Sequence, residues 1–222
     1  MGPTGGFEVP TAKQRAYDKI RKSIFNGTFP PGFHLREEEL AVVCKASRTP
    51  VRQAIRMLAA EGLVTIGSNK RCYVSDVDET HAEEIFDLLA FLEGYSAGLG
   101  AERASDEQVA ELREIIDTQR RLVDARPDDD RAFLELNSRF HRALHDCSGN
   151  RTLNDLIARI VDFTQSLYLK LGRSTESKPQ VRQHEAIVDA ISKRDRRYAE
   201  LMMRVHVESV RREFRELWLK SD

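Results

Sequence analysis

Apolar residues recur at helical spacing along most of the chain and at strand spacing in one short stretch. Ala16, Tyr17, Ile20 and Ile24 share one face between a Pro10-Thr11 start signal and an Asn26-Gly27 stop, which predicts a helix over Thr11–Asn26. Pro30-Pro31-Gly32 makes a rigid turn, and Leu40, Ala41 and Val43 mark a short second helix over Glu37–Val43. Lys45-Ala46 is a tight turn into a third helix. Ser47 is a suitable N-cap for it, and Pro50 falls in the first turn, where its missing N–H does no harm. Val51, Ala54, Ile55 and Leu58 form its apolar face, and Gly62 ends it. Leu63–Ile66 and Cys72–Val74 then read as two strands joined by a hairpin at Gly67–Arg71.

From Asp78 onward the strand period disappears. Ile85, Leu88, Leu89, Leu92 and Leu99 predict a helix over Glu79–Arg103. Ser105-Asp106 caps the next, which runs to a break at Pro127. Phe133, Leu134, Leu136, Phe140 and Leu144 carry a third over Asp128–Cys147, stopped by Ser148-Gly149-Asn150. Asn150–Leu171, Pro179–Lys193 and Asp195–Lys220 complete six helices, with a polar loop over Gly172–Lys178. The fold class predicted is mainly α. A flexible N-terminus (1–10) precedes a winged helix-turn-helix (11–77), which is followed by an all-helical six-helix bundle (78–222) able to enclose a pocket.

The polar face of the third helix carries the first chemistry. At about 100° per residue, Arg48, Arg52 and Arg56 fall within roughly 80° of one another. Ser47, Thr49 and Gln53 extend that face. Arginine forks onto guanine, and arginine or threonine holds phosphate, so such a helix suits a DNA major groove. A solvated basic surface has the same pattern; the helix before it and the hairpin after it favour the DNA reading. Asn69, Lys70 and Arg71 give the hairpin a basic tip that can reach an adjacent groove or phosphate.

Charge supports this division. The chain has net charge −1, but residues 1–78 hold 12 Lys+Arg against 8 Asp+Glu, and the remainder holds 23 against 28. The nucleic-acid contribution therefore belongs to the N-terminal part. Cys44, Cys72 and Cys147 are odd in number and form no CxxC, as expected of reduced cytosolic thiols. No apolar run approaches the ~18 residues of a membrane span, and the N-terminus lacks the apolar core of a signal peptide. A cytoplasmic protein without a membrane partner is expected.

Residues 11–76 resemble the DNA-binding domain of the GntR family of bacterial transcription regulators. The resemblance rests on Pro31-Gly32, Leu35, Glu39-Leu40-Ala41, Ser47 to Arg52, Leu58 and Glu61-Gly62-Leu63-Val64. It implies that Arg48, Arg52 and the wing tip contact DNA. Asn69 stands where the family commonly has glycine, and asparagine tolerates a left-handed turn.

Histidines carry the second chemistry. His141, His184 and His206 sit among apolar neighbours on three predicted helices, and neutral imidazole is a common ligand for zinc and similar metals. Asn137 precedes His141 by four residues, so both project from one face. Each histidine taken singly also fits a satisfied core or surface role. Residues 79–222, however, resemble the FCD effector domain of one large GntR branch, the FadR branch, and in length its shorter VanR-like subgroup. The matching pieces are Asn137 to Leu144, Ser148-Gly149-Asn150, His184 to Ile191, and His206. The resemblance implies a divalent metal held by one carboxylate and three histidines beneath a ligand pocket. Here the carboxylate position is Asn137, whose amide oxygen coordinates without charge. Zinc is the expected ion, with nickel or manganese as alternatives. The family often has an arginine three positions before a Leu-Glu pair; Leu92-Glu93 is that pair, so the position is Leu89. Tyr95, Arg139, Arg142, Gln165 and Tyr168 are candidate polar contributors to the pocket, each also compatible with a surface or packing role.

These features point to a ligand-responsive regulator, not an enzyme. The expected form is a homodimeric repressor on a palindromic double-stranded DNA operator, released by a small-molecule effector. Two alternatives remain. In one, the metal itself is the signal. In the other, three histidines with an open position activate water in a hydrolase; the chain has no HExxH, and Glu185 beside His184 is the candidate carboxylate base.

Overall fold

A computed structural model describes residues 10–25, 27–76, 79–158, 160–161 and 177–219. The described residues form two units, one up to residue 76 and one from residue 79. The expected flexible N-terminus lies outside the described residues, apart from Pro10.

In the first unit, α1 (Ala12–Phe25) starts where Thr11 Oγ1 accepts the Gln14 N–H at 3.2 Å. The second helix, α2 (Glu37–Cys44), stops at Lys45, whose φ of 50° lies in the left-handed region. Glycine usually takes that position, and a lysine there costs about 1–2 kcal/mol. The third, α3 (Arg48–Ala60), leaves the chain at Gly62, where φ is 78°. Ser47 occupies its N-cap position, but the hydroxyl makes no capping hydrogen bond there.

Strands β1 (Val64–Ile66) and β2 (Cys72–Val74) pair antiparallel, with Thr65 opposite Tyr73. A third extended segment joins them. Gly32 N–H donates to Val74 O at 3.0 Å, Val74 N–H to Phe33 O at 2.9 Å and Leu35 N–H to Cys72 O at 2.8 Å. The sequence hid this segment because it follows Pro-Pro-Gly and shows no alternation. The hairpin tip also differs from expectation. Lys70, not Asn69, takes the left-handed conformation, at φ 61°. Asn69 Oδ1 instead accepts the Arg71 N–H at 3.0 Å, closing the turn from its side chain. Ala16, Ile20, Leu40, Val51, Ile55, Leu58 and Val74 form the core of this unit.

The second unit comprises α4 (Glu79–Arg103), α5 (Asp106–Ala125), α6 (Asp130–Cys147), α7 (Ser177–Ser192) and α8 (Arg196–Trp218). Residues 151–158 are also helical, with Asn150 Oδ1 accepting the Leu153 N–H at 3.1 Å; the predicted helix beyond residue 161 lies outside the described residues. Side-chain caps fix three of the other starts. Ser105 and Gln108 form a reciprocal capping box on α5, Asp129 accepts from Ala132 on α6, and Asp195 accepts from Tyr198 on α8. Pro179 lies inside the first turn of α7, so that helix begins at Ser177, before the position expected.

Helices α4 and α8 run antiparallel. Glu83 meets Arg211 and Arg215 at one end of the pair, and Glu102 meets Arg196 at 2.8 Å at the other. Gly94 and Gly98 let the two approach closely: a Cβ at Gly98 would lie 2.4 Å from Glu200 Cγ. Phe86, Leu112, Ile115, Phe140, Leu144, Ile157, Ile191 and Met203 fill the core. All three cysteines are free, Cys72 and Cys147 buried and Cys44 half-buried. No helix of the described residues is long and apolar enough to cross a membrane.

Candidate functional site

The apolar stripe of α3 fixes which way its polar residues face. Val51, Ala54, Ile55 and Leu58 are buried in the first unit's core. Ser47, Arg48, Thr49, Arg52, Gln53 and Arg56 are all exposed on the other side, as are Asn69, Lys70 and Arg71 at the hairpin tip. Two carboxylates that sequence reasoning did not single out face this surface. Glu37 accepts Arg52 Nε and Nη2 at 2.8 and 2.7 Å, and Glu38 lies 3.2 Å from Arg48. The fork from Arg52 holds the Glu37 carboxyl below the ordinary carboxylate range, against the effect of its partial burial. The acidic run Glu37-Glu38-Glu39 was the available signal.

In the second unit, α6, α7 and α8 bring His141, His184 and His206 together. Ring centroids are 5.6 Å apart for His141 and His184, 5.3 Å for His141 and His206, and 4.8 Å for His184 and His206. One nitrogen from each lies within 4.8 Å of the others. Two glutamines set the tautomers. Gln119 Oε1 takes the Nδ1–H of His184 at 3.0 Å, and Gln183 Oε1 takes that of His206 at 2.9 Å. An amide oxygen only accepts, so in both rings Nε2 is left with its lone pair. Burial pushes His184 well below its ordinary pKa, with help from His206 and His141. Burial, then the charge of His141, brings His206 down to about 3, with Glu93 acting in the opposite direction. Both rings are neutral at pH 7, as ligands must be.

The residues present fit a divalent metal. His184 Nε2 and Asn137 Oδ1 are buried acceptors with no hydrogen-bond partner. Leaving such an acceptor unsatisfied costs about 1–3 kcal/mol, and a cation beside the three imidazoles would satisfy both. His141, His184 and His206 would hold it, with Asn137 as the oxygen donor.

A buried carboxylate lies next to this cluster. Glu93, from α4, has Oε2 at 2.8 Å from His145 Nε2 and Oε1 at 3.5 Å from His141 Nδ1. Burial alone would raise its pKa; its interactions with His145, then His141, outweigh this and hold it ionised. Burial would likewise lower His145, but the Glu93 charge raises it. The four-residue step from Asn137 to His141 continues to His145, a signal that sequence reasoning did not take up; Glu93, 52 residues from His145, gave none.

The other pocket candidates among the described residues lie on α4 and α6. Leu89 is buried on α4, and Tyr95 is exposed, with Arg196 over its ring at 5.6 Å. Arg139 and Arg142 line an open groove of about 540 Å³ between α5 and α6, beside Arg121 and Arg126. Gln165 and Tyr168 lie outside the described residues.

Residues 12–74 match the family described as bacterial regulatory proteins, gntR family, and residues 84–209 match the FCD domain. The chain is a GntR-family regulator with an FCD domain. This GntR protein is 27% identical over 192 residues to the uncharacterized HTH-type transcriptional regulator YdhC of Bacillus subtilis (strain 168), covering 86% of this chain and 85% of that one. It is 26% identical over 205 residues to the HTH-type transcriptional repressor RspR of Escherichia coli (strain K12), covering 92% and 89%. The solved structure of E. coli McbR/YncC superposes with a TM-score of 0.79 over 96% of this chain and all of that one, at 16% identity, a likeness of fold. The protein is thus a DNA-binding transcription regulator, and these relatives are named as regulators, not enzymes.

Proposed function

We propose that this GntR regulator is a cytoplasmic homodimeric repressor that binds a palindromic operator through α3 and the β1–β2 hairpin. A small metabolite bound near a metal in the helical unit releases it. The single observation that carries the effector half is the convergence of His141, His184 and His206, with His184 Nε2 and, one turn before His141, Asn137 Oδ1 left without hydrogen-bond partners. The operator half rests on the exposed arginine face of α3 and on the family. The relative named RspR is called a repressor, which supports that direction of control. Zinc suits three imidazoles and one oxygen, and nickel or manganese are the alternatives. A metal there supplies a positive centre for an oxygen of the effector. The effector switches the operator only by binding one conformational state more tightly than the other.

Native mass spectrometry of untagged protein purified without chelator tests this reading. The expected species is a dimer with one metal per chain, and His184→Ala should lose the metal. A metal-free wild type would mean that Asn137 has disabled the site and that the histidines serve packing.

Asn137 also favours a second reading, in which the metal is itself the signal. A neutral amide in the ligand set weakens retention of the ion, as exchange with a cellular pool requires. Operator affinity that tracks metal concentration without any organic ligand would select it.

A further inference from the structure

Glu93 on α4 and His145 on α6 are buried, at 1% and 8% exposure, and neither belongs to the three-histidine set. A carboxylate is taken out of water only where it is paired or holds a cation. Glu93 has more around it than a pair needs. His145 Nε2 lies 2.8 Å from its Oε2, and His141 Nδ1 lies 3.5 Å from its Oε1. The second contact is longer than a good hydrogen bond, and His141 Nδ1 is buried without a hydrogen-bond partner. One ligand atom from each of Glu93, His141 and His145 lies within 4.8 Å of the other two.

These distances suit a shared ion better than a chain of hydrogen bonds. Donors bound at about 2.0–2.2 Å to a tetrahedral ion stand about 3.3–3.6 Å from one another. The Glu93–His141 separation already falls in that range, and the Glu93–His145 separation needs to open by only about half an ångström. Two imidazoles and one carboxylate are a donor set for zinc, iron(II) and related divalent ions, with positions left open for water. Helix geometry holds the set together. His141 and His145 stand one turn apart on α6 and project from one face, and Glu93 meets them from α4.

We propose that Glu93, His141 and His145 form a second divalent-metal seat beside the three-histidine one. It contains the charged donor that Asn137 does not give the first seat. His141 belongs to both groups. Its Nδ1 faces Glu93, which leaves Nε2 for the ion held with His184 and His206. When both seats fill, His141 gives up its ring proton to solvent and bridges the two ions as an imidazolate. The second ion also takes the place of the proton between Glu93 Oε2 and His145 Nε2. Because protons must be displaced, this seat fills after the first and at higher metal concentration. The ion retained through purification is then the first seat's. The second seat stands apart from the three-histidine reading, since two of its three donors lie outside that set.

Titration of the untagged full chain with cobalt(II), counted by native mass spectrometry and followed by visible absorption, tests this. Glu93→Gln removes the carboxylate charge and His145→Gln the imidazole, and each leaves a side chain that can still hydrogen-bond its neighbour. His184→Ala disables the first seat. The expected wild type reaches two ions per chain, and His184→Ala takes one. Each glutamine variant should bind its second ion at least tenfold more weakly. His184→Ala combined with His145→Gln should take none. Circular dichroism monitors folding, and if one glutamine variant fails to fold the other decides. A wild type that takes a single ion, lost with His184→Ala and indifferent to Glu93→Gln, overturns the second seat and leaves the first. A single ion kept by His184→Ala and lost by the glutamine variants overturns the three-histidine reading and leaves this seat. Two ions held as tightly by the glutamine variants as by the wild type place the second ion elsewhere and overturn the proposal. A chain that takes no ion overturns both seats.

Discussion

On the operator reading proposed above, Arg52 would exchange Glu37, which takes its Nε and Nη2 in the free protein, for a base edge. The exchange is favourable. The Arg52 side chain is 56% exposed, an exposed ion pair is worth about 0–1 kcal/mol, and a bidentate contact to guanine discriminates by about 1–3 kcal/mol. Arg52→Ala should therefore weaken operator binding by about 1–3 kcal/mol, read by fluorescence anisotropy at physiological salt. Unchanged affinity would mean that another element reads the bases. In the helical unit, Asn137→Asp would give the proposed metal site a charged oxygen donor beside His141. It should tighten metal binding at least tenfold in a competition titration against a chromogenic chelator, about 1.4 kcal/mol or more. Equal affinity in the two proteins would place the ion elsewhere. The arginines of α3 and the three histidines were legible as residue types on predicted faces. Their partners were not. Gln119 fixes the tautomer of His184 from 65 residues away, and Glu93 reaches His145 across 52, separations at which helical periodicity carries no information.

Among the elements, the α4–α8 pair shows both what the pattern reveals and what it omits. Apolar spacing predicted α4 from Glu79 to Arg103, the range observed. It said nothing of Gly94 and Gly98, because a glycine's meaning here is the side chain missing from a neighbour's path. A Cβ at Gly94 would lie 2.8 Å from Arg204 Cγ and 3.2 Å from the Glu200 carbonyl. Gly94→Ala should push α8 outward and cost about 1–3 kcal/mol, seen as a lower Tm in thermal denaturation. A Tm at or above wild type would show that the crossing has slack. At the far end of the pair, hydrogen bonds from Arg215 and then Arg211 outweigh the burial of Glu83 and hold its carboxyl below the usual range. A folded-state pKa below the unfolded one gives stability that is present above the unfolded value of 4.5 and lost as pH falls through the folded value. Glu83→Gln should then melt lower than wild type at pH 7, and the gap should close as the pH falls below 4.5. A gap independent of pH would assign the loss to packing.

For the whole molecule, division into a basic unit and an acidic one means that ligands of one need not stabilise the other. A metal bound only to the folded helical unit adds RT ln(1 + [M]/Kd) to the stability of that unit alone. Chelation should lower the melting transition of the helical unit and leave that of the DNA-binding unit in place, which differential scanning calorimetry resolves. Equal shifts in both would mean that the units unfold as one. The hairpin tip and the Ser47 cap mark where local rules gave way to the assembled fold. Asn69 was expected to bend the backbone and instead bonds it, while Lys70 makes the bend. The cysteines carry a practical consequence. Burial raises all three thiols, Cys147 to about 11, so each is protonated at neutral pH and slow toward alkylating reagents. A single cysteine introduced on the surface of the otherwise unaltered chain would be the one that takes up a spectroscopic label, and motion between the units could be followed without first stripping the protein of its own sulfur.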